Sequence, residues 1–101
     1  MEVISGPRGS GKTTELIRVA NENNARLVCH TKERCKQVVE SDMYPELDKR
    51  PISYNDVING KIRGTQDSIV IDDMEFFINH FVSTEVNGFA ITADETTELI
   101  S

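Results

Sequence analysis

The segment Gly6-Pro7-Arg8-Gly9-Ser10-Gly11-Lys12-Thr13 fits the pattern G-x-x-x-x-G-K-[ST] at every fixed position. The chemistry it suits is the holding of a polyphosphate. Several donors must converge on phosphate oxygens, and a turn poor in side chains lets backbone N–H groups approach. Gly6, Gly9 and Gly11 remove Cβ atoms and allow unusual φ values. A helix starting at Lys12 would add unpaired N–H groups and a partial positive charge. Lys12 would reach the β- and γ-phosphates, and the Thr13 hydroxyl would ligate Mg²⁺. Pro7, Arg8, Ser10 and Thr14 complete the expected phosphate-binding set. Arg8 is open between a γ-phosphate contact, a contact to a neighbouring subunit and a solvated loop position, the last being favoured.

A second acidic site lies far along the chain. Ile69-Val70-Ile71 is an apolar run ending in Asp72-Asp73. Asp72 is expected at the carboxyl end of a buried strand, holding Mg²⁺ directly or through water. Asp73 is the first candidate to polarise an attacking water, with Glu75 as a rival; Asp73 could instead cap the following helix. Thr92 would end the last strand, facing the γ-phosphate or orienting water, or else be an ordinary strand residue or helix cap.

These groups need elements to position them. The pattern predicts a strand over 2–5 and a helix over 12–23 with Leu16, Ile17 and Ala20 on one face. A strand follows over 26–30. Thr31 caps a helix that buries Cys35, Val38 and Val39. Residues 41–51, with Pro45 and Pro51, read as a loop. Ser53-Tyr54-Asn55-Asp56 resembles a capping box and starts a short helix ending at Gly60. A strand over 68–72 leads to a helix with Phe76, Phe77, Phe81 and Val82 at helical spacing, of which Phe76, Phe77 and Phe81 are expected against the sheet in preference to a base-stacking platform. Asn87-Gly88 turns the chain into a last strand over 89–92. Alternating strands and helices imply an α/β fold with a parallel sheet, right-handed crossovers and one domain over 1–101.

The 101 residues contain 11 Lys and Arg against 17 Asp and Glu, a net charge of −6. The overall field does not attract nucleic acid, so such a contact needs a local basic patch. Lys32, Arg34 and Lys36 are the candidate cluster, with a solvated helix face the favoured reading. No run is apolar enough to span a bilayer. Two cysteines and no leader pattern point to a reducing, cytoplasmic setting. Cys29, His30, Cys35 and His80 fit no standard zinc spacing. A chain this small buries a modest share of its surface, so either the fold is minimal or a partner covers part of it.

Together, residues 6–13 and 69–73 resemble the Walker A and Walker B motifs of P-loop NTPases, in the branch of RecA, AAA+ and helicase domains. The resemblance implies a minimal three-layer sandwich with a short four-stranded sheet, in the order 1-4-3-2. It also implies ATP and Mg²⁺ as ligands and hydrolysis of ATP. No arginine of the chain is obviously placed to assist, so one from a second subunit or a protein partner is expected. Residues 11–18 and 71–77 are similar to type II thymidine kinases, with Asp73 where that family has Glu; the family's lasso and zinc site have no counterpart here. Residues 27–34 are faintly similar to a helicase segment that contacts single strands, so nucleic acid stays open as a partner, in a phage or mobile-element setting. The alternatives are a nucleoside-type kinase and a nucleotide-gated module without turnover.

Overall fold

The computed structural model describes residues 1–42, 44 and 46–100. Pro45, expected in the irregular loop, lies outside the described residues. The chain is a compact α/β domain with a radius of gyration of 13.5 Å. The order is β1 (Glu2–Ser5), α1 (Lys12–Glu22), β2 (Arg26–Cys29), α2 (Lys32–Glu40), β3 (Ile52–Ser53), α3 (Tyr54–Ile58), β4 (Ile69–Ile71), α4 (Met74–Phe81) and β5 (Glu95–Glu98).

All the ladders are parallel. β2 lies between β3 and β4, with Val28 opposite Ile52 and Ile71. β1 pairs with β5 from Glu2↔Glu95 to Ser5↔Glu98. The strands thus form a three-stranded and a two-stranded sheet, without the single four-stranded ladder expected. The expected strand over 89–92 is absent: residues 82–92 are exposed and form no ladder. β5 forms instead, six residues later, where Asp94 clamps Met1 on both sides. The Asp94 amide donates to the Met1 carbonyl at 3.0 Å, and the Met1 ammonium donates to the Asp94 carboxylate at 2.8 Å.

Local sequence explains most of the helices. Thr31 Oγ1 accepts from the Arg34 amide, capping α2. Ser53 and Asp56 form a reciprocal capping box at α3, each side chain accepting the other's backbone N–H at 3.2 Å. The core lies between α1, α2 and the central strand. Ile17, Leu27, Cys29, Cys35 and Val38 are its buried members, with Leu16, Leu47 and Val70 packed against them. Alternation along β2 turns Val28 to the opposite face, and it too is fully buried.

Two expectations about burial are corrected. Val39 is 59% exposed, because α2 turns Cys35 and Val38 inward and little is left to cover the next position. Phe76 and Phe81 are 47% and 39% exposed. α4 is apolar on nearly every side, so spacing alone cannot select the face that packs. Phe77 makes the inward contact, its ring 5.0 Å from that of Tyr54.

Candidate functional site

The glycine-rich turn leaves β1 and enters α1, as the sequence requires. Gly9 and Gly11 have φ of 78° and 92°, the left-handed region that costs an L-residue roughly 1–2 kcal/mol. A Cβ at either would meet nothing within 4 Å, so the loop's outer side is open. Gly6 is different. A Cβ there would stand 2.5 Å from Ser10 Oγ and 2.9 Å from the Leu99 carbonyl oxygen. The turn is closed by Ser10 N–H donating to the Pro7 carbonyl at 3.2 Å. Lys12 Nζ folds back to donate to the same carbonyl at 2.8 Å.

No side chain caps α1, whose N-cap is Gly11. Its first amides therefore point into the turn without a side-chain acceptor. Ser10 Oγ is buried in the same turn without a hydrogen-bond partner among the described residues. Arg8 is exposed at the turn, and Thr14 is half-buried on α1.

Asp72 comes from the other half of the chain. Its amide continues the ladder by donating to the Val28 carbonyl at 2.9 Å. This puts its carboxylate beside α1, where Thr13 Oγ1 donates to Oδ1 and Oδ2 at 3.3 and 3.2 Å. Burial raises the Asp72 carboxyl above its ordinary range, opposed by the Thr13 hydrogen bond and the Arg34 charge. The sequence places Arg34 in a basic cluster and at the end of the helicase-like segment 27–34. Its guanidinium bonds Tyr44 Oη at 3.1 Å and lies over that ring, so it is not a free basic patch with Lys32 and Lys36.

Asp73 adopts φ 63°, strained for a non-glycine residue, and accepts from the Phe76 amide at 3.4 Å. The capping role is therefore the one the geometry shows. Glu75 is exposed in the first turn of α4. Thr92 is exposed and ends no strand. The position expected of it, at the carboxyl end of the strand beside β1, is held by Glu98, in register with Ser5. The sequence signal for Glu98 was slight: a β-branched Thr96-Thr97 pair followed by an acid.

Tyr54 was also missed. It is fully buried, and its hydroxyl donates to the carbonyls of Asp72 at 2.5 Å and Asp73 at 2.9 Å. Burial, then the Asp73 and Asp72 charges, push its phenol up, so it stays a donor. His30 and His80 lie edge-on with ring centroids 5.7 Å apart, while Cys29 and Cys35 share the core. No group of three His, Cys, Asp or Glu among the described residues could hold a metal ion.

The residues of the turn fit a polyphosphate: the loop is left-handed and open on its outer side, the first amides of α1 have no side-chain cap, and the buried Ser10 hydroxyl has no partner among the described residues. Thr13 and Asp72 fit Mg²⁺, which takes one or two protein oxygens and keeps several waters. No family model matches the chain, and no curated protein or solved structure matches it either. No helix among the described residues is long and apolar enough to cross a membrane.

Proposed function

We propose that the chain binds Mg²⁺-ATP on residues 6–14 and hydrolyses it slowly, with turnover raised by a second subunit or a partner. The observation that carries this reading is the meeting of Thr13 and Asp72 at 3.2 Å, beside a glycine turn whose helix has no cap. A hydroxyl and a half-buried carboxylate from distant segments converge where a helix N-terminus favours negative charge.

In this reading the loop amides and Lys12 hold the phosphates. Lys12 exchanges the Pro7 carbonyl for a phosphate oxygen, a stronger charge-assisted partner. Thr13 and Asp72 would hold Mg²⁺, which neutralises charge on the phosphates when bound. Asp73 keeps one carboxylate oxygen on the helix cap and leaves the other to polarise water; Glu75 and Glu98 are the rival acids. An arginine finger supplied in trans is worth about 10³–10⁵ in rate in known systems, which is why slow turnover is expected of the isolated chain. The finer arrangement, a P-loop sheet in the order 1-4-3-2, belongs to the same proposal. It is supported by two of the three neighbour pairs that the order requires, β1 with the last strand and β2 with β4, while the third, β4 with β5, is not formed among the described residues.

Lys12→Ala is expected to abolish ATP binding in calorimetry and phosphate release in a coupled assay. Unchanged affinity in that variant would remove the reading. With labelled ATP, released phosphate identifies a hydrolase, while a labelled nucleotide product identifies the nucleoside-type kinase. Tight binding without phosphate above background identifies a gated binding module.

A further inference from the structure

Charge is spread unevenly along the chain. All 11 Lys and Arg lie at or before Arg63, whereas eight of the 17 Asp and Glu follow it. Exposed apolar side chains crowd into the same acidic part. Among the described residues, seven large ones are exposed between Met74 and Ile91, against Met1, Val39 and Ile58 before Arg63. Apolar surface gathered in this way marks an interaction site.

The two features meet in a groove of about 190 Å³ between α4 and residues 86–89. Glu75, Ile78 and Asn79, three and four apart, share the face of α4 that forms one side. Val86, Asn87, Gly88 and Phe89 form the other. Phe89 is 55% exposed, and Ile78 is half-buried beneath it. The volume lies below the ~300–1,000 Å³ of small-molecule sites, and suits one side chain inserted from a partner.

The charge of the groove is one-sided. Glu75 is exposed on its wall, Glu85 adjoins Val86 in the chain, and no Lys or Arg lines it. Neither glutamate has an ion pair among the described residues. The cations that reach this part of the chain are taken elsewhere: Arg26 and Lys49 by Asp67, the Met1 ammonium by Asp94. An acidic wall without a cation selects a cationic side chain. Arginine or lysine satisfies both surfaces, with its stem along Ile78, Val86 and Phe89 and its charge on Glu75.

The same charge disfavours other occupants. Nucleic acid and anionic lipid are repelled. A symmetric dimer through the groove sets acid against acid. A head-to-tail dimer offers the basic part of the chain, which exposes few large apolar residues to meet Phe89.

We propose that this groove docks a basic segment of another protein. An Arg or Lys enters between α4 and residues 86–89, and apolar neighbours in that segment cover Phe89. The surface does not rest on the triphosphate reading; Glu75, a rival acid there, acts here as an ion-pair partner.

The probe is a synthetic amphipathic peptide of about 14 residues, with leucines on one helical face and arginines on the other. Matched peptides carry glutamine or glutamate for every arginine, or serine for every leucine. In calorimetric titrations of the full chain at physiological salt, the arginine–leucine peptide is expected to bind about tenfold or more tighter than each control. Glu75→Gln and Phe89→Ser should each weaken it about tenfold, while Glu40→Gln on α2 and Lys12→Ala leave it unchanged. Circular dichroism checks that each variant is folded. Equal affinity for the glutamine or serine peptide would overturn the proposal. So would a loss in Glu40→Gln as large as in Glu75→Gln, because binding would then follow net charge alone. Self-association in sedimentation that Phe89→Ser abolishes would make the occupant a second copy. Binding to phosphatidylserine vesicles that the same variant abolishes would make it a membrane; either result overturns the reading. Lys12→Ala disables the triphosphate loop and leaves the groove intact, so the two readings fail separately.

Discussion

A phenol holds the acidic strand end in shape. After β4 the chain must turn sharply so that Asp72 faces Thr13 while Asp73 caps α4. That turn places a non-glycine residue at φ 63°, and something must hold it there. The Tyr54 hydroxyl does so by bonding both carbonyls. Tyr54→Phe keeps the ring and its packing on Phe77 but removes the donor. The expected loss is ~1–3 kcal/mol, because a buried acceptor loses its partner. A melting temperature lower by several degrees measures it; an unchanged one would show that the turn is held elsewhere. In the proposed function the same variant also weakens Mg²⁺ dependence, since the Asp72 carboxylate is aimed by this backbone. Asp72 and Lys12 could be named from the sequence because their spacing belongs to a pattern with a chemical reason. Tyr54 could not, because its role depends on a backbone bend from another segment.

The helices and strands around the turn were legible where a local signal fixes both ends. Glycine before Lys12, Thr31 before α2 and the Ser53/Asp56 pair each mark a boundary, and each is where the structure has it. β3 was not legible. Two residues leading into a cap have no alternation to read. The last strand was misplaced for another reason. Phe89-Ala90-Ile91 alternates better than Glu95-Thr96-Thr97-Glu98, but strand preference depends on what lies alongside. The two-stranded sheet leaves Glu95, Thr96 and Glu98 exposed, so polar residues suit it, and the Asp94 clamp on Met1 sets the register.

The capping box of α3 also makes a pH prediction. Lys61, and then the Ser53 bonds, hold the Asp56 carboxyl below the usual range. A depressed carboxyl contributes stability that is complete above its unfolded value, about 3.9. That contribution is lost as pH falls through the lower folded value. Asp56→Asn keeps an acceptor for Ser53 N–H but loses the charge facing Lys61. It should melt lower than the parent at neutral pH, and the gap should narrow between about pH 5 and about pH 2. A gap constant over that range would mean the charge contributes nothing.

Across the whole molecule, apolar burial is concentrated in a small region. Leu27 is fully buried at its centre, among Ile17, Cys29, Cys35 and Val38. Truncating a buried leucine costs ~2–5 kcal/mol, and domains carry only ~5–15 in all. Leu27→Ala should therefore leave a chain substantially unfolded or melting far lower, read by urea titration. A change of under about 1 kcal/mol would show that the core lies elsewhere. α4 and the segment after it leave Phe76, Phe81, Phe89 and Ile91 exposed, outside this core.

The pairing of β1 with β5 has a consequence for biosynthesis. Glu2 leaves the ribosome long before Glu95, its partner in the ladder. The nascent polypeptide can gather β2, β3 and β4 first, with the amino-terminal strand waiting unpaired for its mate. A message broken before codon 95 would thus yield a product whose glycine turn hangs from an unzipped edge, open to proteases.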